Sequence, residues 1–301
     1  MKSPFWLLAM LATVFSPIAD LHAATASDAA PLTVMSFNVR TLADKEPGRR
    51  WEDRRDAMAA VITQAQPQAV GTQELTARQA VDLLARLPDY RWFGQGRRGS
   101  GDDDEHVGIF YDTRALQVVE SGDFWLSDTP EVPASISWGN IFPRMVTWAL
   151  FERRADHRRF YLFNTHLPYR TEDEAARVRG ARLLLSRLQA LPAQVPVVVT
   201  GDFNTEPGSG TWDTLTATLH DARGQAAKVE GSAATFHAFS GRADKQIDWI
   251  LLRGFHAERF ATIEARPGGR LPSDHFPVLA VLRFPPSAST AVVSPGAPSA
   301  R

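Results

Sequence analysis

No cysteine occurs among the 301 residues, so disulfides, thiolate metal ligands, a cysteine nucleophile and a lipidated N-terminal cysteine are all excluded. A surplus of basic charge is missing as well, with 33 Lys and Arg against 34 Asp and Glu and a net charge of −1. A protein that grips duplex nucleic acid usually carries a basic excess, so nothing in this balance signals strong non-specific affinity for it. There is no G-x-S-x-G, no H-E-x-x-H and no G-x-x-x-x-G-K-[ST], which removes the main support for a serine hydrolase, a zincin or a P-loop nucleotidase. The apolar run from Phe5 to Phe15 is too short for a comfortable membrane span.

That run, preceded by Lys2 and followed by small residues at Ala23 to Ala26, has the layout of a secretory signal over residues 1–26. Export to the periplasm or beyond is therefore expected, and loss of Lys2 and Asp20 leaves the net charge unchanged. Residues 27–284 read as one large domain. The tail 285–301, rich in Pro, Ser and Ala, reads as disordered.

The most informative stretch is Val195 to Asn204, an apolar run that empties into a Gly-Asp-x-Asn turn and presents Asp202 and Asn204 together at the end of a doubly buried strand. Four other stretches end strands in the same way: Ser36-Phe-Asn-Val39, Gly71-Thr-Gln-Glu74, Asn164-Thr-His166 and Ser273-Asp-His-Phe-Pro277. One site assembled from many strand ends is the economical explanation. Strands are expected near 32–39, 69–72, 90–93, 106–111, 116–125, 145–152, 160–166, 246–252, 255–264 and 278–284. Helices are expected at about 49–66, where Pro67 stops the run, and at 76–87, 172–191 and 211–219. The segment from 220 to Thr235 reads as irregular. Leu126 to Pro143 reads as a long turn-rich insertion carrying Trp138 and Phe142. Early β-α-β units followed by runs of strands indicate a layered α/β sandwich.

Taken singly, Glu74 reads as a solvated strand-end carboxylate and Asn38 as a turn residue. Recurrence at matching strand ends favours another reading, in which Asn38, Glu74 and Asp274 give oxygen ligands to a hard cation, Mg²⁺ or Mn²⁺. His166 and His275 follow similar apolar strands, and imidazole titrates near neutrality, so both are candidates for proton transfer. Asp248 lies inside the apolar strand Gln-Ile-Asp-Trp-Ile, where an unpaired carboxylate is costly; orienting a histidine is its best use. Glu105 is a second candidate orienter, although the acidic run before it favours a plain solvated loop. The cluster Arg49-Arg50/Arg54-Arg55 reads as a solvated helix face.

In this order, S-F-N, T-Q-E, N-T-H, G-D-F-N, I-D-W and S-D-H resemble the endonuclease/exonuclease/phosphatase superfamily, the deoxyribonuclease I-like fold, from about Leu32 to Phe284. The resemblance implies a four-layered α/β sandwich, two packed β-sheets flanked by helices, and a metal-dependent phosphoesterase. It implies metal ligands at Asn38 and Glu74, with Asp274 an acid near the metal, and a water- and phosphate-positioning pair in Asp202 and Asn204. It also implies catalytic histidines at His166, paired with Glu105, and at His275, paired with Asp248. Arg144 resembles a phosphate-contacting arginine. Phe124-Trp-Leu-Ser-Asp-Thr-Pro130 and Thr235-Phe-His237 look like an exported bacterial branch of the superfamily. The expected reaction is single-step hydrolysis of a phosphoester, with a phosphodiesterase or nuclease first. A lipid phosphoesterase of the sphingomyelinase type or a phospho-sugar phosphoesterase is the alternative, and a non-catalytic binding module is the reading furthest from the motifs. Substrate candidates are therefore nucleic acid, a phospholipid head group or a phospho-sugar. No stable protein partner is implied, and a monomer is expected.

Overall fold

The structure, a computed structural model, describes residues 30–99 and 104–286. The expected signal segment and most of the expected tail lie outside the described residues. Strands β1 (Leu32–Asn38), β2 (Ala69–Gln73), β3 (Tyr90–Phe93) and β4 (Ile109–Asp112) alternate with helices α1 (Trp51–Ala65) and α2 (Ala77–Leu84). Then come β5 (Leu116–Trp125), β6 (Met145–Arg153), β7 (Arg159–His166), helix α3 (Glu174–Gln189), β8 (Val197–Asp202) and α4 (Gly210–Thr216). The chain closes with β9 (His220–Asp221), α5 (Ala222–Gln225), β10 (Lys228–Glu230), β11 (Asp248–Arg253), β12 (His256–Thr262) and β13 (Val278–Arg283).

Two sheets form, a seven-stranded one in the order β10-β12-β13-β1-β2-β4-β3 and a six-stranded one in the order β5-β6-β7-β8-β11-β9. Side-chain alternation explains why they stack. Leu32 and Val34 of β1 join Leu162, Val198, Ile250 and Ala280 in a core between the sheets. The intervening Met35 and Phe37 instead pack with Met58, Ile62 and Leu83 of the helices outside the first sheet. On the far side, Val197, Val199 and Trp249 pack with Leu184 and Leu188 of α3 and Leu215 of α4. The result is the expected four-layered α/β sandwich, and the unbroken Val197–Val199 run is apolar because both of its faces are covered.

The same alternation changes character at one end. The inward positions of β1 run Leu32, Val34, Ser36, Asn38; those of β7 run Phe160, Leu162, Asn164, His166; those of β8 run Val198, Thr200, Asp202. All of these polar positions are buried. Asn164 staples the sheets together there: its Nδ2 donates to the Thr72 carbonyl at 2.7 Å, and its Oδ1 accepts from Gln73 Nε2 at 2.7 Å and Thr200 Oγ1 at 3.0 Å. Gly71 makes room for the staple, since a Cβ there would lie 2.1 Å from Thr200 Oγ1 and 2.6 Å from Asn164 Oδ1.

Two expectations change. The segment after 219 is not wholly irregular: β9 pairs with β11, β10 pairs with β12, and Asp221 caps α5 through the Arg223 and Gly224 N–H groups. Edge strands of two or three residues carry too few positions for alternation to register. Arg54 does not belong to a solvated face. It is fully buried, and its guanidinium donates to the carbonyls of Arg49 at 2.9 Å, Arg40 at 2.6 Å, Thr41 at 2.8 Å, Pro272 at 3.2 Å, and Val39. It thereby ties the turn after β1 to the loop that carries Asp274 and His275.

Candidate active site

Strand direction gathers the polar residues. β1 and β2 are parallel with Asn38 opposite Gln73, and β7 and β8 are parallel with His166 opposite Asp202. β11 and β13 run the other way and contribute their starts, Asp248 opposite Asp202 and the Ser273–His275 loop just before β13. Two strand ends are built alike. Asn38 Oδ1 accepts the Arg40 N–H at 3.0 Å, and Asp202 Oδ1 accepts the Asn204 N–H at 2.9 Å. These side-chain turns hold Arg40 (φ 55°) and Asn204 (φ 52°) in left-handed conformation, and Glu74 (φ 57°) shares it.

Asp202 Oδ2 is the point of convergence. Asn38 Nδ2 donates to it at 2.9 Å and to Glu74 Oε1 at 3.2 Å. His166 Nε2 stands 3.6 Å from the same oxygen and His275 Nε2 3.8 Å. Behind His275, its Nδ1 hydrogen-bonds Asp248 Oδ2 at 2.8 Å, the orienting pair expected for those two residues. Asn204 Nδ2 donates to the Leu167 carbonyl at 3.0 Å, which fixes its side chain against the end of β7.

The pKa values of the two imidazoles are pushed in opposite directions. Burial works against a proton on His275, but the charge and hydrogen bond of Asp248, then Asp202 and Asp274, override it and push its pKa up to about 10. His166 goes the other way, well below its ordinary value, through burial and then the charges of Arg144 and Arg97. Burial, followed by the charge of Asp248, raises the pKa of Asp202 and makes it a stronger base than an exposed carboxylate. Pairs of groups pushed apart in this way separate acid from base roles.

One expected pairing is corrected. Glu105 binds Arg97 Nη2 at 2.6 Å, and the carboxylate facing His166 is Asp202. Sequence reasoning missed Arg97, which stands next to Arg98 among glycines with no periodic pattern to mark it as buried; its loop folds inward because the Arg97 carbonyl accepts from Trp125 Nε1 at 2.7 Å. Of the insertion's aromatics, Trp138 donates to Asp128 at 2.7 Å and Phe142 lies under the guanidinium groups of Arg97 and Arg98, while Trp125 at the end of β5 is core.

These residues open onto a cleft of about 570 Å³ lined by Glu74, Asp202, Asn204, Asp274, His166 and His275, with Arg40, Arg49, Arg97, Arg144 and Lys245 around them. A hard divalent cation fits this donor set. Glu74 and Asp274 carboxylates face one another across the Arg40 guanidinium, whose nitrogens stand 3.7 and 3.8 Å from them, so positive charge already sits between the two acids. Asn38 turns its Nδ2 to the carboxylates; presenting oxygen there takes a rotation of the amide that also gives up the Oδ1 bond to the Arg40 N–H. Asp202, Asp248 and His275 also set one potential ligand atom each within 4.8 Å of one another; Asp248 Oδ2 and His275 Nδ1 bond each other, while Asp248 Oδ1 has no partner among the described residues and His275 Nε2 faces Asp202.

Comparison with known proteins gives consistent matches. The model of the Endonuclease/Exonuclease/phosphatase family matches residues 35–275. A mannosyl-6-phosphatase of Bacteroides thetaiotaomicron is 32% identical with a TM-score of 0.78, over 84% of this chain and 100% of that one. An endonuclease/exonuclease/phosphatase from Bacteroides vulgatus is 31% identical with a TM-score of 0.80, over 85% and 100%. The human Nocturnin catalytic domain, solved with a bound sulfate anion, shares the fold at 22% identity and a TM-score of 0.69, over 84% and 94%.

Proposed function

This chain belongs to the endonuclease/exonuclease/phosphatase family, whose members are phosphoester hydrolases, and we propose that it hydrolyses a phosphoester of a small molecule such as a phospho-sugar with the help of a divalent cation. The observation that carries the reaction type is the convergence of Asn38, His166 and His275 on Asp202 Oδ2, with Asp248 bonded behind His275. Mg²⁺ or Mn²⁺ held by Glu74, Asp274 and Asn38 would supply charge stabilisation at the phosphoryl oxygens. Asp202, with its raised pKa, holds a water and accepts its proton as that water attacks phosphorus. Asn204, beside it on the same turn, fixes the direction of attack. His275, oriented by Asp248 and held protonated, donates to a phosphoryl oxygen, and neutral His166 offers Nε2 opposite it.

Substrate size is supported by the cleft, whose volume of about 570 Å³ is that of a pocket for one small molecule. Its lining mixes Arg40, Arg49, Arg97, Arg144 and Lys245 with Asp44, Glu74, Glu105, Asp202 and Asp274, so it carries no basic track for a duplex. The similar mannosyl-6-phosphatase makes a phosphorylated sugar the first class to test. A second reading, the end of a nucleic-acid strand, is favoured by two cation-aromatic pairs at the cleft, Arg49 over Phe239 and Lys245 over Phe236. A cleavage rate that falls steeply with salt marks that reading, and a nearly flat salt profile marks the first.

Replacing a general acid or base costs about 10²- to 10⁴-fold. His275→Ala is therefore expected to lose turnover on that scale while keeping its fold by circular dichroism. Near wild-type turnover in both His275→Ala and His166→Ala contradicts the assignment.

A further inference from the structure

Two buried arginines are left with unused donors beside the reacting centre. Arg144 is 4% exposed and its Nη1 has no hydrogen-bond partner among the described residues; Arg97 is 6% exposed and its Nε is likewise without one. Both line the cleft next to His166. A buried donor without a partner loses its water and gains nothing in return, and a charged one loses most, so two side by side point to an anion that completes them. Like charges also repel, since burial and then Arg97 lower the Arg144 pKa to about 10, and Glu105, bonded to Arg97 Nη2 at 2.6 Å, offsets only part of that charge.

We infer that Arg97 and Arg144 form a site for an unesterified phosphoryl oxygen, with Glu105 holding Arg97 in place, and that the substrate is therefore a dianionic phosphomonoester. This rests on the phosphoester reading above and narrows it. The small hollow that Arg97 and Arg144 line together with Glu105, Pro143, Met145 and His166 measures only about 10 Å³. That is room for an oxygen and not for an alcohol substituent, so the oxygen facing it carries no ester. With one unesterified oxygen at the cation of Glu74 and Asp274 and one at His275, the arginine pair takes a third, which a monoester with its three such oxygens and a charge near −2 supplies and a diester with two oxygens and one charge does not. Guanidinium groups match phosphate oxygens in geometry as well as charge. The reaction balances as attack of water on phosphorus with cleavage of the phosphorus–ester oxygen bond, the proton passing to the departing alcohol, to give alcohol and inorganic phosphate.

The test compares p-nitrophenyl phosphate with bis-p-nitrophenyl phosphate in the wild type, Arg97→Gln and Arg97→Lys, and measures inorganic phosphate binding by calorimetry in the same proteins with Mg²⁺ present. The wild type is expected to favour the monoester. Arg97→Gln is expected to lower monoester kcat/KM at least about 10-fold more than diester kcat/KM, mainly through KM, and to weaken phosphate binding by a similar factor. Arg97→Lys should recover part of both. A wild type that prefers the diester, an equal fall on both esters, or phosphate binding untouched by Arg97→Gln overturns the inference. Failure to cleave either ester instead counts against the hydrolase reading, and the phosphate titration still decides the anion site.

Discussion

His237 shows how much a single buried side chain contributes away from the reacting centre. It is 2% exposed, its ring sits 4.2 Å from that of Phe276, and neither ring nitrogen has a hydrogen-bond partner among the described residues. Burial, helped by the charges of His275 and Arg266, lowers its pKa to about 4. An unfolded histidine titrates near 6.5, so the unfolded chain takes up this proton first as the pH falls. The stability from burying the neutral ring is thus complete above about pH 6.5 and is lost as the pH drops toward about 4. In urea titrations, the wild type should lose about 1–2 kcal/mol more than His237→Phe between pH 7 and pH 4.5, the linkage value discounted for solvent screening. Equal losses in the two proteins contradict this account. At this scale the sequence was readable wherever a polar residue sat within or at the end of an apolar strand, as at Asp248 and His166. It was not readable for Arg54 or Arg97, because nothing in a helical or glycine-rich context tells a buried guanidinium bonded to carbonyls from a solvated one.

Elements were legible in proportion to their length and alternation. β1, β7, β8 and β13 declare themselves by apolar residues on both faces, and α3 by helical spacing over 16 residues. β9 and β10 do not, since their existence depends on the edges of β11 and β12. The sequence pattern also placed the site at strand ends, but not the polar staple between the sheets, which needs three-dimensional proximity of Gly71, Asn164 and Thr200. That staple has a testable consequence. Gly71→Ala forces a methyl group against Thr200 Oγ1 and Asn164 Oδ1, and overpacking of this kind costs about 1–3 kcal/mol. Thermal unfolding should register a clear fall in Tm together with reduced turnover, because β2 leads directly into Glu74. An unchanged Tm shows that the sheets separate there at no cost.

For the whole molecule, opposed strand directions in two stacked sheets bring six chain segments to one edge, and the four-layered sandwich leaves that edge open as the cleft. The fold produces this arrangement, and the loop 235–245 carries Phe236, Phe239 and Lys245 to the rim of the cleft. Export directed by residues 1–26 remains a proposal that N-terminal sequencing of the mature protein checks. The central claim, cation-assisted phosphoester hydrolysis at Asp202, is tested most directly by release of p-nitrophenol from p-nitrophenyl phosphate with Mg²⁺, after chelation, and after Mg²⁺ is restored, with Asp202→Asn alongside. Activity that disappears on chelation, returns with Mg²⁺ and is about 10²-fold or more lower in a folded Asp202→Asn variant is the predicted result. Hydrolysis that survives chelation or tolerates Asp202→Asn contradicts the account.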